Sequence, residues 1–246
     1  MVECLKWDNN TNFIYSVICL NLQNNIKFNS NIKKLTSNKR IGPHNIDIIS
    51  IIIGSTLGNT QLERRKNGIG TRVIFEQSNN NVEYLMWFHN YLSSRGYCSN
   101  IKPRLKIRIK HKGKVYHKYR INSYTFTSFN WIHEMFYKLV ENNLIKIVPL
   151  NIEEYLTPLA LAIWFMDDGS SLNKGARIVT NCFTFEEVNL LCKVLQNKYN
   201  IIATPNKCGK DKGHIIYIHN NSIELFSYII KPYLLPSLYY KLGIIK

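Results

Sequence analysis

Nine residues, LAIWFMDDG at 161–169, limit the folds open to this chain more than any other stretch. A helix of Leu, Ala, Ile, Trp, Phe and Met has no solvated face and has to be buried. It nevertheless ends in two adjacent carboxylates, Asp167 and Asp168, so a buried element delivers charge to one place. A second buried helix is expected over residues 46–57. Gly42-Pro43 marks a turn before it, Asn45 can cap it, and Gly54 and Gly58, four apart, share a face on which another backbone can come close.

The segments downstream of the two runs are alike. After Asn59 come a basic loop (Glu63, Arg64, Arg65, Lys66, Asn67, Gly68), a strand over 71–77 and a helix over 82–92. After Asp168 come a short loop over 170–175, a strand over 176–183 and a helix over 186–199. Aligning Asn59 with Asp168 puts Phe75 within one residue of Phe183 and superposes the order of elements. Two similar halves are therefore expected, at 40–148 and 149–246, after an Asn-rich, weakly patterned N-terminal extension over 1–39. Two helices apolar all round can bury each other by packing along a pseudo-two-fold axis, with Asn59 and Asp168 meeting at its foot.

Charge narrows the partner. With 32 Lys and Arg against 16 Asp and Glu, the net charge of +16 calls for a polyanion, either nucleic acid or an anionic membrane surface. The longest apolar stretches, 46–57 and 156–166, fall well short of the ~20 residues that span a bilayer, so no membrane partner is expected. Residues 13–22 have the length of a signal segment's apolar core, but Glu3 and Asp8 dilute any basic region before it. The six cysteines (Cys4, Cys19, Cys98, Cys182, Cys192, Cys208) form no CxxC pair, which suggests neither a zinc site nor a disulfide framework.

Residues 102–120 read KPRLKIRIKHKGKVYHKYR. Lys102, Arg104, Lys106, Arg108 and Lys110 alternate with Pro103, Leu105, Ile107 and Ile109, so a strand would project five cations from one face and turn its apolar residues to the core. A hairpin through 111–114, carrying Lys112 and Lys114, would return Tyr116, Lys118 and Arg120. Five cations without one acid favour a phosphate-tracking ribbon of a width that enters the DNA major groove. The plainer alternative is a solvated edge strand guarded by lysines. Arg64, Arg65 and Arg72 add to this surface, and the second half offers Lys174, Arg177, Lys207, Lys210 and Lys212. Two such surfaces would form one long basic saddle with steeply salt-dependent binding.

These stretches together resemble the LAGLIDADG homing endonucleases and maturases, in particular the single-chain, two-motif type encoded in mitochondrial group I introns. LAIWFMDDG matches the family signature, and IIIGSTLGNT, between KRIGPHNIDI and ERRKNGIGTR, resembles its first copy. YTFTSFNWI, IVPLNIEEYLTPLALAIWFMDDG, TNCFTFEEV and KPYLLPSLYYKL extend the similarity from about Arg40 to Leu242. The resemblance implies an α+β fold of two pseudo-symmetric αββαββα units with a basic β-saddle lying in the major groove of a long duplex DNA site. It implies that the residue ending each motif helix, Asp168 and Asn59 here, binds catalytic Mg2+ (or Mn2+). Lys146 and Lys241 match family lysines that position water or stabilise transition-state charge, and Gln77 and Asn181 match strand ends that order solvent. A monomer in the mitochondrion is implied, with the chloroplast as the alternative residence.

One departure matters. Active nucleases of the family carry an acid where Asn59 stands, and an amide oxygen brings a metal no negative charge, so hydrolysis at one strand should suffer most. Three readings stay open: an endonuclease with weakened or strand-biased cleavage, an RNA maturase that assists splicing of its group I intron, and a degenerate frame that retains DNA binding alone. In-line hydrolysis needs an activated water and a stabilised leaving oxygen, both of which a carboxylate-held magnesium can serve.

Overall fold

The computed structural model describes residues 35–65, 67–109, 115–209 and 213–243. Outside them lie most of the expected N-terminal extension, with the apolar segment 13–22, and five of the expected cations: Lys110, Lys112, Lys114, Lys210 and Lys212.

Helix α1 (Ile46–Leu57) starts where Asn45 accepts a bond from the backbone N–H of Asp47 (2.7 Å). It leads into strands β1 (Gln61–Arg64) and β2 (Thr71–Ser78), helix α2 (Val82–Ser94), and strands β3 (Lys106–Ile109) and β4 (Val115–Asn122). Helix α3 (Asn130–Phe136) and the hairpin β5 (Tyr137–Val140) and β6 (Asn143–Lys146) come next, then the single turn α4 (Ile152–Tyr155). The series then recurs as α5 (Pro158–Asp168), β7 (Gly169–Leu172), β8 (Gly175–Val179), α6 (Phe185–Tyr199), β9 (Ala203–Lys207), β10 (His214–Ile218) and α7 (Ile223–Ile230), ending in a 3-10 helix at Pro236–Leu242. Each series forms a four-stranded antiparallel sheet with the same strand order, β1-β2-β4-β3 and β7-β8-β10-β9. Among the described residues no helix is long and apolar enough to cross a membrane.

The two motif helices are the centre of the core. Every residue of α1 from Ile48 to Leu57 is buried, and so is every residue of α5 from Ala160 to Asp167. They meet at backbone distance: a Cβ on Gly54 would stand 2.2 Å from the carbonyl oxygen of Ala160, and one on Gly58 would stand 2.6 Å from Asp167 Oδ2. The hydroxyls of Thr157, Ser55 and Thr56 are satisfied locally, whereas the indole N–H of Trp164 in α5 is buried without a partner among the described residues. Thr157, which caps α5 through the N–H of Ala160, donates its hydroxyl to Ser50 of α1 (2.7 Å). Ser55 and Thr56 donate back to the carbonyl of Ile52. Such closure matters because an unpaired buried hydroxyl costs about 1–3 kcal/mol.

Four sequence expectations need correction. The loops after the two motifs each contribute a strand: β1 begins two residues after Asn59, and β7 begins directly after Asp168 and turns at Asn173-Lys174 into β8. Strand β8 ends at Val179 rather than at 183, because Thr180 bonds the carbonyl of His214 and the chain then enters the Thr184 capping box of α6. Sheet register replaces the simple alignment of the halves. Gln61 faces Ile74 and Ser170 faces Arg177, so Phe75 corresponds to Ile178, not Phe183. Among the described residues the basic strand runs from Lys106 to Ile109, starting four residues later than expected, and Leu105, Ile107 and Ile109 do not reach the core: they are 42%, 63% and 71% exposed. Val115, paired with Ile109, is exposed too, so the β3–β4 ribbon runs past its helical cover with both faces in solvent.

The helix contact yields a sign test. In an ordinary helix interior Gly→Ala stabilises by about 1 kcal/mol. Gly54→Ala should instead destabilise by about 1–3 kcal/mol, since the new methyl meets backbone that cannot yield. A lowered urea midpoint with unchanged slope is expected; a raised or unmoved midpoint would mean that the helices are not in backbone contact.

Candidate functional site

The C-terminal ends of α1 and α5 lie side by side, and each leaves carbonyl groups without helical partners. Two lysines at equivalent places take them up. Lys146, at the end of β6, donates to the carbonyls of Gly58 (2.9 Å) and Thr60 (3.4 Å). Lys241, in the last 3-10 helix, donates to those of Met166 (2.6 Å) and Asp167 (3.2 Å). A cation is favourable at the negative end of a helix dipole, and here two of them sit on two parallel ends. Burial lowers both lysines from their ordinary value, while the carboxylates of Asp167 and Asp168 oppose that shift.

Both acids at this junction come from α5. Asp167 is buried and turned toward the first half: its Oδ1 accepts from Gln77 Nε2 (3.0 Å) and its Oδ2 from the Asn59 backbone N–H (3.4 Å). Gln77 is held in turn by Asn81 Nδ2 (3.2 Å). Asp167 therefore spans the pseudo-dyad. Burial, and then the charge of Asp168, holds its carboxyl well above the usual value; the same carboxylates, after burial, raise the neighbouring Tyr84 hydroxyl. Asp168 is more open. Burial pushes it up to about 6, against the pull of Lys146, Lys241 and a hydrogen bond from the Asn59 side chain.

The structure thus gathers Asn59, Asp168, Lys146 and Lys241 at one place, with Gln77 attached through Asp167. By strand register the counterpart of Gln77 is Thr180, which is buried and bonded to the His214 carbonyl, whereas Asn181 is exposed. Cys182, which the sequence alone does not single out, comes within electrostatic reach of Lys146 and Asp168.

Pleat alternation assigns the sheet faces. In the first sheet, Leu62, Val73, Phe75 and Ile121 are buried against the helices, so Glu63, Arg72, Glu76, Lys118 and Arg120 project from the opposite, outer face together with Lys106. This face is not purely basic. Glu63 pairs with Arg72, and Glu76 with Arg120 (3.4 Å) and Lys118 (3.8 Å). Arg64 points to the helical side, where it pairs with Glu134 (2.8 Å). Arg65 lies exposed in the β1–β2 connection; Lys102 and Arg104 lie exposed before β3, and Arg108 stands within β3 opposite Tyr116. In the second sheet Ala176, Ile178, Ile216 and Ile218 are buried, and Arg177 projects outward. Lys174 sits at the β7–β8 turn, while Lys207, opposite His214, falls in the inward-facing row. Period-two reading of TRVIFEQS would have put Glu76 beside Arg72 on the outer face.

Comparison with known proteins adds what geometry alone does not. The chain is 40% identical, over 99% of its length, to the cytochrome b mRNA maturase bI2 of Saccharomyces cerevisiae, and spans 58% of that protein's length. It is 36% identical, over 92% of its length and 80% of the relative's, to the protein of the same name from Debaryomyces hansenii. The intron-encoded endonuclease ai4 of Dictyostelium discoideum shares 43% identity over 63% of this chain and 98% of its own. Among solved structures, the homing endonuclease I-WcaI bound to its DNA recognition sequence matches 88% of this chain and 95% of its own with a TM-score of 0.72 and 27% identity. Residues 49–226 match the family model itself, and the chain belongs to the LAGLIDADG DNA endonuclease family.

Proposed function

We propose that this chain is an intron-encoded, site-specific DNA endonuclease whose cleavage is biased toward one strand. One observation carries the reading: the paired helix ends have the lysines on both sides but the acids on one, with Gly58-Asn59 opposite Asp167-Asp168. Residues 40–148 and 149–246 would each hold half of a duplex site, and one chain supplies both halves, so a monomer suffices. The relatives named for cytochrome b mRNA support residence in the mitochondrion.

The donor set fits a hard divalent cation in part. Asp168 offers a carboxylate and Asn59 an amide oxygen; among the described residues no cluster of three His, Cys, Asp or Glu exists, so further ligands would be phosphate oxygens and water. Bound there, magnesium would lower the pKa of an attacking water and neutralise the leaving oxygen. The water oxygen bonds to phosphorus as the bond to the 3'-oxygen breaks, leaving a 3'-hydroxyl and a 5'-phosphate. Lys146 and Lys241 fix the helix ends through their carbonyls and bring positive charge toward the phosphate. Asp167 fixes the relative position of the two ends through Gln77.

A second reading has its own support, since relatives covering nearly the whole chain are named mRNA maturases. In it the protein binds the folded intron RNA and hydrolysis is dispensable.

Duplex carrying the intronless junction of the host gene, incubated with protein and Mg2+, should accumulate nicks in one strand faster than double-strand breaks. Asn59→Asp should raise double-strand breakage by ten-fold or more, on the order of one charge-stabilising contact. No cleavage by either protein, together with protein-dependent splicing of the precursor RNA, would favour the maturase and defeat the nuclease.

Asp168→Asn separates activity from stability. Its folded-state value, about 6, lies above the ordinary carboxylate value of 3.8, so between those values the folded protein holds a proton that the unfolded chain lacks. Stability from this group is greatest at low pH and is lost as pH rises through about 6. Asp168→Asn should therefore lose cleavage yet melt no lower than wild type at pH 8, with any advantage shrinking toward pH 5. A variant less stable at pH 8 than at pH 5, relative to wild type, would contradict the assignment of burial as the dominant cause.

A further inference from the structure

The outer faces of the two sheets differ in chemistry far more than their shared strand order requires. The first carries Arg72, Lys118 and Arg120 interleaved with Glu63 and Glu76. By register Leu172, Val179 and Ile215 of the second face stand for Glu63, Glu76 and Arg120, Gly175 and Gly213 stand for Arg72 and Lys118, and Arg177 stands for Ile74; Tyr217 lies opposite Arg177, with Thr204 and Asn206 beyond on β9. Arg177, bonded to Ser170 (2.9 Å), is the one charged side chain among the described residues of that outer face.

Core packing does not explain these apolar residues. The inward row of the same strands, Ala176, Ile178, Ile216 and Ile218, already fills the helical side, and Leu172 and Val179 remain 38% and 37% exposed. In a chain of net charge +16, a basic protein keeps an apolar patch on a nucleic-acid face when that patch meets something apolar. On the edges of base pairs in the major groove the apolar group is the thymine 5-methyl, while Asn suits adenine, Arg and Lys suit guanine, and Glu accepts from the cytosine amino group.

We infer that the second half reads an A·T-rich half-site through thymine methyl groups contacted by Leu172, Val179 and Ile215, and that the first half reads a half-site containing G·C pairs through its Arg, Lys and Glu residues. This rests on the outer faces being the DNA surface, as in the proposed function.

The test is selection of bound duplexes from a random library by the full chain, followed by binding to the selected site with deoxyuridine replacing thymidine in one half at a time. The substitution removes only the methyl. Selected sites should be A·T-rich in one half, and deoxyuridine there should weaken binding about threefold to fourfold per contacted methyl, the value of one buried carbon, with little effect in the other half. Leu172→Ser and Val179→Ser, both at exposed positions, should erase that sensitivity while leaving the melting temperature in place. A selected site with A·T pairs spread evenly, or insensitive to deoxyuridine in both halves, would overturn the half-site assignment and leave DNA binding intact. Absence of any enriched sequence would sink the DNA reading as well. A dimer in sedimentation without DNA that Val179→Ser dissociates would assign the face to a second copy of the chain instead.

Discussion

The backbone contact between α1 and α5 sets the rest of the architecture. Gly54 has no side chain where the Ala160 carbonyl arrives, so the two helices come closer than ordinary side-chain packing allows. Once they are that close, their apolar surfaces are used up on each other and on the elements beside them. Both sheets must then pack outward from the same axis, and the two helix ends must emerge together. The charged junction is a consequence of this geometry. Four residues at the tips, Gly58-Asn59 and Asp167-Asp168, are brought to one place by a contact made mostly of Ile, Leu, Ala and Phe.

The scaffold is symmetric where it bears load and unequal where it bears charge. Lys146 and Lys241 occupy similar places and share one equivalent acceptor, the carbonyl of Gly58 and that of Asp167, because every helix C-terminus leaves unfilled acceptors. The acids obey no such requirement. Asp167 fits only because its counterpart is Gly58, which leaves room for the carboxylate to reach Gln77 and the Asn59 N–H. A carboxyl at position 58 as well would bring a second buried acid against the first. The asymmetry at 58 and 167 is thus a steric arrangement that locks one half to the other. The asymmetry at 59 and 168 has no such steric reason and falls on the residues best placed to meet a cation.

Much of this was legible in the residues. Helix α1 was readable to the residue, because Asn45 caps, the run is mostly apolar and Gly58 ends it. The close approach at Gly54 and Gly58 followed from their shared face. The short strands β1 and β7 were not legible: GSSL and QLER carry too little alternation to be told from loops, and only pairing with β8 and β2 makes them strands. The basic ribbon misled for a physical reason. Alternation shows that two faces differ, but not that one of them is covered, and Ile107 and Ile109 lie past the end of the helical layer. Gln77 was placed among candidate residues through resemblance, but its bond to Asp167 spans 90 positions and leaves no local trace. The register of β8 likewise decides that Thr180, not Asn181, is its counterpart.

The strand-biased nuclease reading and the relatives named as maturases or endonucleases converge on one question: how many cations the helix ends hold once nucleic acid supplies the remaining ligands. Counting Mn2+ bound per protein–DNA complex by electron paramagnetic resonance addresses it without reference to turnover. One tight Mn2+, lost in Asp168→Asn and joined by a second in Asn59→Asp, is the result this account predicts. Two equally tight ions in the native protein, or one that survives Asp168→Asn, would contradict it.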